Sequence, residues 1–265
     1  MSGLHEVFAA CRDENRAALI GYLPAGYPTV DGSKELLAAM LSGTADRPGC
    51  DIVEIGIPFS DPVIDGPTIQ AASDTALRNG FRVRDLFGVV SAVAGSGGHP
   101  VVMTYWNPVH QYGPDRFARD LKAAGGLGVI TPDLVPDEAE DWIAATDAHG
   151  LDRIFLVAPS STEQRLAMTA KASSGFIYAT SVMGVTGARE TVGDKAEELV
   201  RRTRVHTDLP IGVGLGVRSG EQAAEVAGFA DAVIVGSAFI GRAERDGADG
   251  VREIAAELGE GVRSR

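Results

Sequence analysis

Short apolar runs rich in β-branched residues alternate along the chain with longer stretches whose apolar side chains recur every three to four positions. The short runs, at 17–23, 51–57, 100–104, 128–130, 152–157, 176–179, 210–213 and 232–235, predict strands. Stretches at 33–41, 116–124, 137–148, 162–172, 194–204, 219–227 and 251–258 predict helices between and after them. Helix starts at Pro136-Asp137, Ser161-Thr162-Glu163 and Ser219-Gly220-Glu221 carry residues suited to capping free N–H groups. Alternation of this kind builds βα units on a parallel sheet. Eight strands with helical crossovers fit a (β/α)8 TIM barrel, and an open doubly wound sheet is the other arrangement the pattern admits. In such a barrel ligands and catalytic groups gather where strands end and βα loops begin, so chemistry is sought there.

Composition narrows the picture. The 265 residues are 45% hydrophobic, and no low-complexity stretch, charge block or Pro-rich linker divides them, so residues 1–265 are expected to form a single barrel domain. A net charge of −12 repels phosphate backbones and anionic lipid, which argues against nucleic acid as a partner. Two cysteines, Cys11 and Cys50, are too few for a disulfide framework, and the histidines show no metal-ligand spacing; a reducing cytoplasm is the expected location. Residues 1–16 carry charges at His5, Glu6, Arg12, Asp13, Glu14 and Arg16 and do not read as a signal peptide. No apolar run approaches the roughly 18 residues of a spanning helix.

The most informative segment runs from Asp51 to Gln70. Strand alternation puts Val53, Ile55 and Ile57 on one face and Ile52, Glu54 and Gly56 on the other. The first set suits packing against outer helices, so Glu54 is expected to point into the barrel mouth beside a glycine that leaves room for a ligand. An unpaired carboxyl in an apolar setting has a raised pKa, which is what proton shuttling near neutral pH requires. Glu54 is therefore the candidate acid–base. Asp61 and Asp65 follow in a loop fixed by Ser60-Asp61-Pro62 and Asp65-Gly66-Pro67, able to hold a carboxylate opposite Glu54. Buried ion pairing for Glu54, and turn or helix capping for the aspartates, are the structural alternatives.

Glycines mark the ends of the last two strands, in 212–219 and 235–238. There they let backbone N–H groups approach an anion, and barrels frequently bind phosphate after strands seven and eight. Between strand six and its helix, residues 181–193 form a long loop with glycines at 184, 187 and 193, suited to a lid or to an ordinary surface loop.

Taken together, Tyr22-Leu-Pro-Ala-Gly-Tyr-Pro, Glu54-Ile-Gly-Ile-Pro-Phe-Ser-Asp-Pro, Asp65-Gly-Pro-Thr-Ile-Gln, Met103-Thr-Tyr-Trp-Asn-Pro, Thr131-Pro-Asp-Leu, Gly184-Val-Thr-Gly-Ala-Arg, Gly214-Leu-Gly-Val-Arg and Gly236-Ser-Ala resemble, in order and over the whole length, the signature of the tryptophan synthase alpha subunit family. The resemblance implies a TIM barrel that cleaves indole-3-glycerol phosphate into indole and glyceraldehyde 3-phosphate. It implies a beta-subunit partner in an alpha-beta-beta-alpha heterotetramer, with pyridoxal phosphate in the beta subunit and no cofactor in this chain.

By the same resemblance Glu54 is the acid–base at the indole C3 and the adjacent side-chain hydroxyl, while Asp65 sits by the indole N–H. Tyr178 matches a tyrosine that positions Glu54 or substrate, and Thr186 a lid threonine on the Asp65 side. Gly187, Gly216, Gly236 and Ser237 match phosphate-loop positions. Tyr22, Ile69, Met103 and Tyr105 are candidates for the apolar walls around indole. Tyr22 stands where many relatives carry phenylalanine, and Val182-Met183 replaces more polar lid residues. Asp61, the lid, Pro58, Phe59 and residues 103–108 are candidates for the partner-facing rim. A sugar-phosphate isomerase using paired carboxyls and an activator of a beta partner without lyase activity are the competing readings.

Overall fold

The computed structural model describes residues 3–180, 192–214 and 216–264. The first helix, α1 (Gly3–Asp13), precedes β1 (Ala18–Pro24), and α2 (Val30–Ser42) leads to β2 (Ile52–Gly56). Two helices, α3 (Pro67–Arg78) and α4 (Val83–Gly95), precede β3 (Pro100–Met103); α5 (Trp106–Tyr112) and α6 (Pro114–Ala123) precede β4 (Gly128–Ile130). A 3-10 turn (Pro136–Glu138) and α7 (Glu140–His149) then bring the chain to β5 (Asp152–Ile154) and β6 (Leu156–Val157). The rest runs α8 (Glu163–Ala172), β7 (Ile177–Thr180), α9 (Val192–Arg204), β8 (Ile211–Gly214), α10 (Gly220–Ala227), β9 (Ala232–Val235) and α11 (Ser237–Gly261).

Every strand pairing is parallel, in the order β5-β4-β3-β2-β1-β9-β8-β7-β6. The two ends of that order, β5 and β6, are halves of the single expected strand 152–157, separated only by Phe155, whose carbonyl still accepts the Tyr178 N–H at 3.1 Å. One half pairs with β4 and the other with β7, which closes the sheet. The chain is a (β/α)8 barrel with β5 and β6 as one interrupted stave, and the open doubly wound alternative is set aside.

Apolar side chains on the outer strand faces, Val53 and Ile55 among them, are fully buried between sheet and helices. On the inner face β1 and β2 place Tyr22 opposite Glu54, and β2 and β3 place Gly56 opposite Met103. Helix α1 closes the other end of the barrel: Leu4, Val7, Phe8 and Cys11 lie on one helical stripe and are buried, with Phe8 against Phe176 at 5.7 Å. Thr162 and Ser219 cap α8 and α10 as expected, their hydroxyls accepting from Arg165 N and Gln222 N, both at 3.3 Å. At the third expected start the chain first makes the 3-10 turn, and α7 begins without a side-chain cap. The last helix is longer than the 251–258 expected from the pattern. It starts at Ser237 and breaks at Gly247, whose φ of 60° is left-handed.

Candidate active site

Three strand ends and one loop converge at the mouth. Alternation along β2 aims Glu54 inward as expected, and its residue is 1% exposed. The space above it exists because two strands, β2 and β8, end in glycine. A Cβ on Gly56 would stand 2.3 Å from the Tyr22 hydroxyl oxygen, and one on Gly214 would stand 2.7 Å from that of Tyr178. Both phenol rings therefore lie flush against bare backbone, and larger residues there would displace them.

Glu54, Asp65, Tyr22, Ile69, Met103 and Tyr178 line one cavity of about 200 Å³, together with Gly216, Gly236 and Ser237. It adjoins a cavity of about 670 Å³ that shares Ile64, Tyr178, Gly214 and Gly216. Ile64 and Ile234 line the site too, without having been singled out for it. Ile234 had a legible signal, since Ala232, Ile234 and Gly236 alternate on one strand face. Ile64 had none, because it sits in a loop.

Burial, and second the charge of Asp65, push Glu54 up from the ordinary 4.5 to about 8. Its Oε2 has no hydrogen-bond partner among the described residues. Asp65 is also raised by burial, while a hydrogen bond from the Tyr105 hydroxyl pulls the other way. It lies immediately before Gly66, the N-cap of α3, where the helix N–H end favours negative charge. Tyr22 and Tyr178 have pKa values well above 10 through burial and the nearby carboxyls, so both phenols stay protonated and neutral. The two carboxyls thus occupy different settings: one sealed and held protonated at neutral pH, the other half-buried and hydrogen-bonded.

The glycine-lined side of the cavity suits an anion. Gly236 is the N-cap of α11 and, among the described residues, no side chain caps that helix, so the N–H groups of Ser237 and Ala238 are left for a ligand. Gly216, which also lines the cavity, turns with φ 70°. Helix α10, which follows Gly216, is satisfied by its own Ser219.

One expectation changes. Asp61 does not face Glu54; it is exposed at the rim, where its Oδ2 accepts from the Ser60 hydroxyl at 2.6 Å. Tyr105 lies behind the residues that line the cavity. Strand β3 ends at Met103, so Tyr105 becomes the N-cap of α5, its ring stacked on Phe59 at 4.9 Å and its hydroxyl engaged behind the β2–α3 loop. Thr186, Gly187 and the Val182-Met183 departure lie outside the described residues. Arg218 is exposed, and its backbone N–H donates to Gln222.

A family model described as tryptophan synthase alpha chain matches residues 8–262. The tryptophan synthase alpha chain of Nocardia farcinica is 61% identical over 263 residues, covering 99% of this chain and 97% of that one. That of Mycobacterium avium is 59% identical, covering 100% and 96%. Among solved structures, an open form of tryptophan synthase from M. tuberculosis superposes with a TM-score of 0.92 at 55% identity, covering 99% of both chains. The alpha subunit from Legionella pneumophila keeps a TM-score of 0.89 at only 28% identity, with full coverage of both. With the barrel, the paired carboxyls and the glycine-lined side of the cavity in place, these matches establish that the chain belongs to the tryptophan synthase alpha chain family.

Proposed function

We propose that this chain cleaves indole-3-glycerol phosphate by a retro-aldol reaction, releasing indole and glyceraldehyde 3-phosphate. One observation carries the reading: a sealed carboxyl, Glu54, held near pKa 8 and joined by a second carboxyl in a cavity whose lining includes an uncapped helix start. The reaction needs a proton at the indole C3, relief of positive charge on the ring nitrogen, and removal of the proton from the adjacent hydroxyl. Protonated Glu54 delivers the first, and as the resulting carboxylate takes the last, so it returns to its starting state. Asp65 accepts the indole N–H and steadies the charge that develops there. Tyr22, Ile69, Met103 and Tyr178 clasp the flat ring, and N–H groups around Gly216, Gly236 and Ser237 take the phosphate. Thr186 and Gly187 complete the lid and the phosphate loop in this scheme.

The chain is an enzyme subunit whose family pairs with a beta subunit. We assign it the carbon–carbon lyase step, an alpha-beta-beta-alpha assembly and the cytoplasm; among the described residues no helix is long and apolar enough to cross a membrane. The proton transfers balance without a cofactor in this chain, and pyridoxal phosphate belongs to the partner's site. The test is indole release from indole-3-glycerol phosphate with the beta subunit present. Glu54→Gln and Asp65→Asn should each lower it by about 10²–10⁴-fold while substrate still binds. Undiminished turnover in either variant, or stimulation of the partner by a chain that releases no indole, would overturn the assignment.

A further inference from the structure

The β2–α3 loop carries Asp65 but is open to solvent: Val63 is 75% exposed and Ile64 48%. Apolar residues so exposed give a loop little packing to hold it in place. Two side chains hold it: Gln70, whose amide donates to the Asp65 carbonyl at 2.8 Å, and Tyr105, from the next strand end. The Tyr105 hydroxyl oxygen accepts the backbone N–H of Val63 at 3.1 Å and of Ile64 at 3.2 Å. A phenol oxygen has two lone pairs and one proton. With both lone pairs taken, only the proton is left, and the charge beside it is that of the Asp65 carboxylate. The ring itself cannot swing away. Tyr105 is 4% exposed and stacked on Phe59 with an interplanar angle of 26°. The chain just beyond it is pinned by the Trp106 N–H, which donates to Asp133 at 2.8 Å.

We propose that Tyr105 is a positioning residue for the cleavage reaction: its phenol fastens the backbone beside Asp65 and directs its proton to that carboxylate, so that Asp65 meets the indole N–H in place and ionised. The inference rests on the function proposed above. It gives Tyr105 no contact with substrate, in keeping with its absence from the cavity lining. A hydrogen bond to the charged form of an acid favours ionisation, opposing the burial that raises Asp65. Without the phenol proton, Asp65 should bind its own proton more tightly and reach the required charge only at higher pH.

The experiment compares wild type and Tyr105→Phe, each with the beta subunit, through kcat/KM for indole release against pH and through ¹³C titration of the Asp65 carboxyl. Phenylalanine keeps the ring and its stacking. The expected result is an acidic limb and an Asp65 titration both displaced upward by about one pH unit. Below the wild-type limb kcat/KM falls about ten-fold, and KM rises as the loop loosens. A lowered melting temperature with an unmoved limb would make Tyr105 merely structural and overturn the proposal. So would a variant within two-fold of wild type at every pH. If wild type releases no indole, the functional reading fails, while the ¹³C titration still decides whether Tyr105 sets the charge of Asp65. If Tyr105→Phe does not fold, amide exchange in wild type decides: slow exchange at Val63 and Ile64 supports the tether, and free-loop rates overturn it.

Discussion

Asp51, just before β2, and Glu54, three residues further on inside it, carry carboxyls that the protein treats in opposite ways. At the closed end Asp51 meets the buried Arg16 in a bidentate pair, both bonds 2.8 Å, and its Oδ2 also accepts the Leu19 N–H at 2.8 Å. Arg16 is satisfied further by Glu14 and by the carbonyl of Ala17. At the mouth Glu54 has no cation, keeps an oxygen without a partner among the described residues, and faces another acid. An orphaned oxygen does not by itself mark a site, because Asp152, buried at the start of β5, also has one. Glu54 stands apart through the cavity and the second carboxyl in front of it. Charge at the closed end is neutralised to hold the barrel together; at the mouth it is left uncompensated so that a proton can move.

Reciprocal substitutions are the strongest way to break that contrast. Glu54→Gln replaces a protonated carboxyl by a near-isostere that has no proton to release on unfolding, so the melting temperature near pH 7 should not fall, and should rise if anything, while indole release drops by about 10²–10⁴-fold. Arg16→Met should do the reverse. It strands Asp51 with its charge, which costs about 3 kcal/mol, or roughly 6–12 °C in melting temperature for a chain this size, and leaves turnover per folded molecule intact. Thermal melts and indole assays on the same preparations check both; a destabilised Glu54→Gln protein or an inactive folded Arg16→Met protein would erase the distinction.

A smaller effect follows from pH. Glu54 in the folded state holds its proton up to about pH 8, against an ordinary 4.5 once unfolded. Between those values the folded chain binds a proton that the unfolded chain has released, so stability falls as pH rises, with a limiting slope of about 1.4 kcal/mol per pH unit from this group. The contribution is fully present below 4.5 and is lost by about 8. Denaturant melts of wild type minus those of Glu54→Gln isolate the slope, which should be negative across that window. The same group should set the basic limb of kcat/KM near pH 8, since the cycle begins with Glu54 protonated. A difference that is flat with pH would mean Glu54 is hydrated and unperturbed.

The sequence makes Glu54 legible because strand alternation decides direction with a period of two, and Ile52, Glu54 and Gly56 can only share a face. Closure of the barrel is legible in the same way, as runs of strand length separated by helical ones. Asp61 and Asp65 are locally equivalent, each held by a following proline or glycine, and no neighbour in the chain tells them apart. The discriminator is Tyr105, remote in sequence, which grips the loop at Val63 and Ile64 and leaves Asp61 at the rim. Tyr105 in turn continues the parity of Met103 only on paper, since β3 ends before it and α5 begins. The front of α11 hides for another reason. Residues 241–250 are rich in charge and glycine and have the composition of a loop, yet α11 packs along α2 and its first turn closes the glycine-lined side of the site.

The least drastic substitution tests space in place of charge at the mouth. Gly56→Ala would bring a Cβ to 2.3 Å from the Tyr22 hydroxyl oxygen and 2.6 Å from two ring carbons. The ring must tilt, at a cost of about 1–3 kcal/mol, and it tilts into the cavity beside Glu54, so KM should rise more than kcat falls. Tyr22→Phe removes the nearest atom but not the ring carbons. Combined with Gly56→Ala it should recover part of the lost stability and affinity, never all, and the two changes should be non-additive because they share one contact. Full additivity in melting temperature and KM would mean that the Tyr22 ring does not lie over Gly56. The bare backbone at the end of β2 would then serve the substrate directly and not the aromatic wall that frames it.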